Sequence, residues 1–178
     1  MLSRQRIAAV VVVAALVLIP LPDPAMTAED TKALFFARCA NERLNPADFR
    51  LGAMVDDGAG ISLLVASSDA KIVECAASPG SVSSVVADMS IAQMRPNLIR
   101  ALGGVGSADV KRFLGYGRVS PEVTAVEFIL PDGRTLVATV VGETFAYSAP
   151  YLSDDDMRKL VARAKDRTGT VVFEGKIY

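Results

Sequence analysis

The sequence predicts an α+β domain: an antiparallel β-sheet of hairpins and meanders, packed by an N-terminal and a C-terminal helix, behind an N-terminal signal or anchor segment. Three observations carry that expectation. Short β-branched runs alternate with Gly/Asp turns through most of the chain. Two stretches, 29–44 and 153–165, space their apolar residues helically. A basic n-region, Arg4 and Arg6, precedes an uninterrupted apolar run from Ile7 to Ile19, and Pro20, Pro22 and Pro24 then break any helix.

The chain divides into residues 1–28 and a single domain over 29–178. The apolar run is short of the about 20 residues that a spanning helix needs, which suits a secretory signal. Cleavage after Ala28 or after Thr27 gives a secreted protein. Without cleavage the segment anchors the domain to the membrane, and a buried strand is the third alternative. No lipobox-like Cys follows the run.

Residues 29–44 read as a helix opened by Glu29 and Asp30, which favour the positive end of the helix dipole, and closed by Asn45-Pro46. A meander follows: Phe49–Val55, a turn over 56–60, Ile61–Ala66, a turn over 67–70, and Lys71–Ala76. Val82–Met89 is a further strand, and Ile91–Leu102 is interrupted by Pro96. Gly103-Gly104-Val105-Gly106-Ser107 reads as a flexible loop. Phe113–Val119, Val123–Leu130, Thr135–Val141 and Thr144–Ser148 are strands, with hairpin turns at 131–134 and 142–143. Ser153 caps a second helix that carries Met157, Leu160, Val161 and Ala164 as its apolar stripe and stops at Gly169. Thr170–Glu174 is a last strand. The segments 55–79 and 130–150 share a strand, Asp-Gly turn, strand, turn, strand order; common hairpin grammar is the plainer reading and a duplicated meander the alternative.

Counting excludes much chemistry. The 178 residues contain no His, so every Ser-His-Asp or Cys-His arrangement and every His-ligated metal site is ruled out. Two Cys cannot form an all-thiolate zinc site. A net charge of −1 argues against a nucleic-acid partner bound through phosphate neutralisation, and an apolar fraction of 51% argues against disorder. No cofactor and no metal are expected. Cys39 and Cys75, 36 residues apart, read as a structural disulfide of an oxidising compartment; two buried free thiols are the alternative.

The motifs that resemble sites have plainer readings. Asp154-Asp155-Asp156 opens a helix, and Asp56-Asp57-Gly58 is a hairpin tip. Ser68-Asp69-Ala70-Lys71 has the S-x-x-K spacing of penicillin-recognising enzymes, but bridges two strands and lacks companion elements. The glycines at 103–106 and Gly115-Tyr116-Gly117 complete no phosphate-loop pattern and read as turns or bulges. Tyr116, Phe145, Tyr147 and Tyr151 are the candidate ligand-facing aromatics.

Residues 117–149 resemble a segment of small exported actinobacterial proteins of unknown function. The similarity runs through Gly117-Arg118-Val119, Pro121, Val123, Val126, Asp132-Gly133-Arg134, Ala138, Val140, Gly142 and Phe145-Ala146. Where that family carries a Trp-rich motif, this chain reads Phe145-Ala146-Tyr147-Ser148. The resemblance implies an exported β-rich domain and assigns no catalytic residue.

Together these readings point to an exported or membrane-anchored, non-catalytic interaction module of the bacterial cell envelope. Its partner would be an envelope protein or surface ligand, with membrane contact through residues 1–28 if they are retained. A carboxylate-dependent hydrolase of an envelope glycan, using Glu74, Glu127 or Glu143, is one alternative; its sign would be a buried carboxyl with a raised pKa. An anchored accessory subunit of an envelope complex is the other.

Overall fold

The computed structural model describes residues 26–40, 44–58, 60–94, 98–107 and 111–177. Most of the signal or anchor segment, residues 1–25, and the interruption at Pro96 lie outside them. Helix α1 (Ala28–Cys39) starts at a capping box: the Thr27 hydroxyl accepts from the Asp30 amide, and the Asp30 carboxylate accepts from the Thr27 amide. The strands follow as β1 (Arg50–Asp56), β2 (Ser62–Ser67), β3 (Lys71–Ser78), β4 (Ser81–Asp88), β5 (Ile99–Ser107), β6 (Arg112–Val119), β7 (Ala125–Ile129), β8 (Thr135–Val137), β9 (Thr139–Val141), β10 (Thr144–Pro150), β11 (Val161–Lys165) and β12 (Val171–Lys176). A single-turn helix, α2 (Asp154–Met157), precedes β11.

These strands form three antiparallel four-stranded sheets rather than one. The first has the order β1-β2-β3-β4, the middle β5-β6-β10-β9, and the third β12-β11-β7-β8. The mostly-β expectation holds; the packing by two terminal helices does not. Residues 153–165 are the main correction. Ser153 caps one turn, after which Val161–Lys165 becomes β11, paired with β7 on one side and β12 on the other. The segment VARAK fits two periods at once. Its alternation puts Ala162 and Ala164 into the core, and backbone pairing on both edges decides in favour of the strand.

The central strands of the middle sheet, β6 and β10, supply a core on each face. Leu114, Tyr116 and Ala146 join Leu63, Val65, Ile72 and Ala76 of the first sheet in one core. Phe145, Tyr147 and Ala149 join Val126, Phe128, Ala162 and Ala164 of the third sheet in another. On the far side of the first sheet, Phe36 and Cys39 of α1 join Leu64, Ala66, Val73 and Cys75. The Cys39–Cys75 disulfide ties α1 to β3 there. A bridge closing a loop of that length stabilises the fold by about 3–4 kcal/mol in the chain-entropy model.

The stretch 103–107, expected as a flexible loop, is part of strand β5, and Gly115 and Gly117 lie inside the expected strand over 113–119 and not at a turn. Gly115 and Gly117 lie in β6 directly opposite Tyr147 and Phe145 of β10. A Cβ at Gly115 would sit 2.4 Å from the Tyr147 ring, and one at Gly117 would sit 2.5 Å from the Phe145 ring. The missing side chains make room for the two aromatic rings. Likewise 103–106 is part of β5, where a Cβ at Gly104 would meet the Leu114 carbonyl oxygen at 2.3 Å.

Thr135–Val141 is also not one strand. It changes sheets at Ala138: β8 pairs with β7 in the third sheet, and β9 pairs with β10 in the middle one. The meander of 55–79 stays within the first sheet. The two segments therefore share turn chemistry but not topology.

Candidate functional site

A partly buried charged constellation lies where the first and middle sheets meet. Arg118, near the end of β6, is fully buried, whereas Arg112 at the start of the same strand is exposed. Arg118 Nη2 donates to Glu143 Oε2 at 2.6 Å and to the Ser68 carbonyl at 2.9 Å, and its Nη1 donates to the Met89 carbonyl. One guanidinium thus links the β2–β3 turn, the end of β4 and the β9–β10 turn. Gly142, at φ +57°, makes the turn that presents Glu143.

Above this pair stands Arg50, at the start of β1 and exposed. Its Nη2 donates to Asp69 Oδ1 at 2.7 Å and lies 3.8 Å from Glu143 Oε2. The hydrogen bond and charge of Asp69, then the charge of Glu143, push the Arg50 pKa up, so it stays cationic. Asp69, Arg50, Glu143 and Arg118 form an alternating chain of charges running from solvent into the core.

Two open clefts adjoin at Arg50. One, of about 470 Å³, is bordered by Asp48, Phe49, Arg50, Ser68 and Asp69. The other, of about 300 Å³, is bordered by Arg50, Gly52, Ser67, Val141 and Glu143. Beside the second cleft β1 is bulged, its register shifting between Leu51 and Met54. The Thr144 hydroxyl fills the bulge, accepting from the Ala53 amide at 2.8 Å and donating to the Val141 carbonyl at 2.9 Å.

The sequence-selected residues are distributed differently. Tyr116, Phe145 and Tyr147 are buried: Tyr116 between the first and middle sheets, the other two between the middle and third. Tyr147 packs against Phe128 with ring centroids 4.2 Å apart. Tyr151 is half-exposed, and none of the four borders either Arg50 cleft. The three glutamates occupy separate neighbourhoods. Glu127 binds Lys165 on the third sheet, and Glu143 binds Arg118. Glu74 lies in β3, and burial pushes its pKa up against the opposing effect of a hydrogen bond from Tyr116. Burial and the nearby Glu74 charge also raise the Tyr116 pKa.

The motif residues serve local structure. The Ser68 hydroxyl accepts from the Lys71 amide at 3.1 Å, Asp57 Oδ1 accepts from the Ile61 amide at 2.9 Å, and the Ser153 hydroxyl accepts from the Asp156 amide at 3.2 Å. Among the described residues, no group of three or more His, Cys, Asp or Glu is placed to hold a metal ion, and no helix is long and apolar enough to cross a membrane. Sequence reasoning missed Arg50 and gave Arg118 only as part of a resemblance. A charge near the end of a largely apolar strand was the available signal for Arg118; Arg50 offered none. In comparisons with known proteins, no family model, no curated protein and no solved structure matches this chain.

Proposed function

We propose that the protein is an extracytoplasmic, non-catalytic binding module of the bacterial cell envelope, and that the paired clefts beside Arg50 are its recognition surface. The carrying observation is the brace beneath that surface. Arg50 borders both clefts, and the Glu143 carboxylate beside it is held from below by the buried Arg118 guanidinium. The exposed Arg50 guanidinium offers a planar fork of donors to carboxylate or carbonyl oxygens. The Cys39–Cys75 disulfide supports an oxidising compartment, and the apolar segment within residues 1–28 supports export. The hydrolase reading draws on Glu74 alone. Its carboxyl has the raised pKa that a general acid needs, but it accepts from Tyr116 and borders neither Arg50 cleft.

The test is a pull-down from envelope fractions with tagged wild-type protein, Arg50→Ala, and a form lacking residues 1–28. A specific partner kept on removal of 1–28 and lost with Arg50→Ala is the expected result. A partner unaffected by Arg50→Ala overturns the assignment of the clefts, and loss of every partner on removal of 1–28 favours the anchored subunit.

A further inference from the structure

Strand edges expose unpaired amides and carbonyls, and folded proteins blunt them with bulges, charges, glycine or short length. Nearly every edge strand described here is blunted. β1 is bulged and its Gly52 lies against Thr144. β5 carries Gly103, Gly104 and Gly106 and a register shift between Ala101 and Gly103. β8 and β9 have three residues each. β12 carries Glu174 and Lys176. β4 is the exception. It runs for eight residues in unbroken register with β3, and its one charge is the terminal Asp88. Val82, Val85 and Val86 are 49%, 53% and 42% exposed.

We propose that β4 is a self-association edge, pairing antiparallel with β4 of a second copy to give a continuous eight-stranded sheet. This surface is distinct from the Arg50 clefts. The valines and the charge select the occupant and its direction. Residues 81–87 are neutral, so a charged partner strand would find no counter-charge. Parallel self-pairing would set the two Asp88 carboxylates side by side, whereas a two-fold antiparallel pairing sends them to opposite ends.

Register follows from the side chains. Val82, Ser84 and Val86 pair with Ala77, Cys75 and Val73 and so share one face of the sheet; Ser83 and Val85 share the other. A two-fold axis through Ser84 places Val82 of each copy opposite Val86 of the other. Two valine pairs then lose water on one face, and Ser83 meets Val85 on the other. Eight residues a side is fewer than the about 20–30 of a standard interface, so the dimer is a weak one.

The test uses the full chain with its disulfide intact, in mild detergent, by sedimentation velocity from about 1 to about 100 μM. The expected result is a concentration-dependent dimer in which amide exchange along 81–88 slows as the dimer forms. Val82→Lys alone and Val86→Glu alone should each weaken it at least about tenfold by placing a charge against valine. The combined variant V82K/V86E should restore it, because each new ammonium then faces a new carboxylate across the axis and not within its own strand. Both positions are half-exposed, so the fold is expected to survive, and unchanged thermal unfolding of the monomer checks this. A monomer throughout with concentration-independent exchange, a dimer that both single variants leave intact, or a double variant that stays monomeric overturns the proposal.

Discussion

The Thr144 hydroxyl sits 2.8 Å from the Ala53 amide nitrogen and fills the space where a side chain on Gly52 would otherwise be. The first residue of β10 thereby completes the backbone hydrogen bonding of a bulge in β1, 91 positions earlier in the chain. Replacing it tests whether the two sheets depend on that contact. Thr144→Val strands a buried donor and should cost about 1–3 kcal/mol, while Thr144→Ser keeps the hydroxyl and should cost less. Urea denaturation of the three proteins compares them. A valine variant as stable as the parent would show that the bulge is satisfied some other way.

Gly115 and Tyr147 should behave as a coupled pair. Gly115→Ala brings a methyl group to 2.4 Å from the Tyr147 ring, an overpacking cost of about 1–3 kcal/mol. In a Tyr147→Leu background the same substitution should cost much less. A double-mutant cycle reads the coupling, and strictly additive losses would refute the steric account.

Glu143→Gln should destabilise more than an exposed charge change does. It leaves the buried Arg118 cation without its counter-charge, a situation that costs about 3–5 kcal/mol. Asp69→Asn breaks only the exposed outer pair with Arg50 and should cost at most about 1 kcal/mol. Chemical denaturation at neutral pH ranks the two.

Stability should carry a signature of Glu74. Burial raises its folded-state pKa above the ordinary 4.5, so the folded protein holds this proton more tightly than the unfolded chain. Stability from this group is fully present below pH 4.5 and falls as pH rises through the folded-state value. Glu74→Gln removes that dependence. The variant should therefore be more stable than the parent at pH 7, and the difference should shrink at about pH 4. Thermal melts across that range test the sign, and a variant less stable than the parent at pH 7 would reverse it.

Reduction should weaken the fold selectively. Loss of the Cys39–Cys75 bridge should lower stability by about 3–4 kcal/mol. The loss should be accompanied by release of α1, read as faster amide exchange over 28–39. Equal exchange in both states would mean that Phe36 and its neighbours hold the helix unaided.

What could be read from the sequence follows the range of the interactions. The turns at Gly58 and Gly133 were legible because a positive φ favours glycine within a few residues of the reversal. The start of α1 was legible from its acidic first turn, but the helix ends at Cys39 and not at Leu44, and it buries Phe36 and Cys39 while Ala33 and Ala37 face solvent. Gly104 misled as a loop residue, and the roles of Gly115 and Gly117 within their expected strand stayed hidden, because the reason for each is a ring or carbonyl on another strand. β11 misled because Ala162 and Ala164 suit a helix stripe as well as a strand face, and only backbone pairing with β7 and β12 on its two sides decides. The candidate site was the least visible part. Arg50 and Glu143 are 93 positions apart, and nothing local to either announces the other.

The switch at Ala138 bears on how the protein comes apart. A single short ribbon is stitched into two neighbouring layers, with three residues committed to each. Peeling one layer away loads the hydrogen-bond ladder of the other, so the two layers are expected to open together.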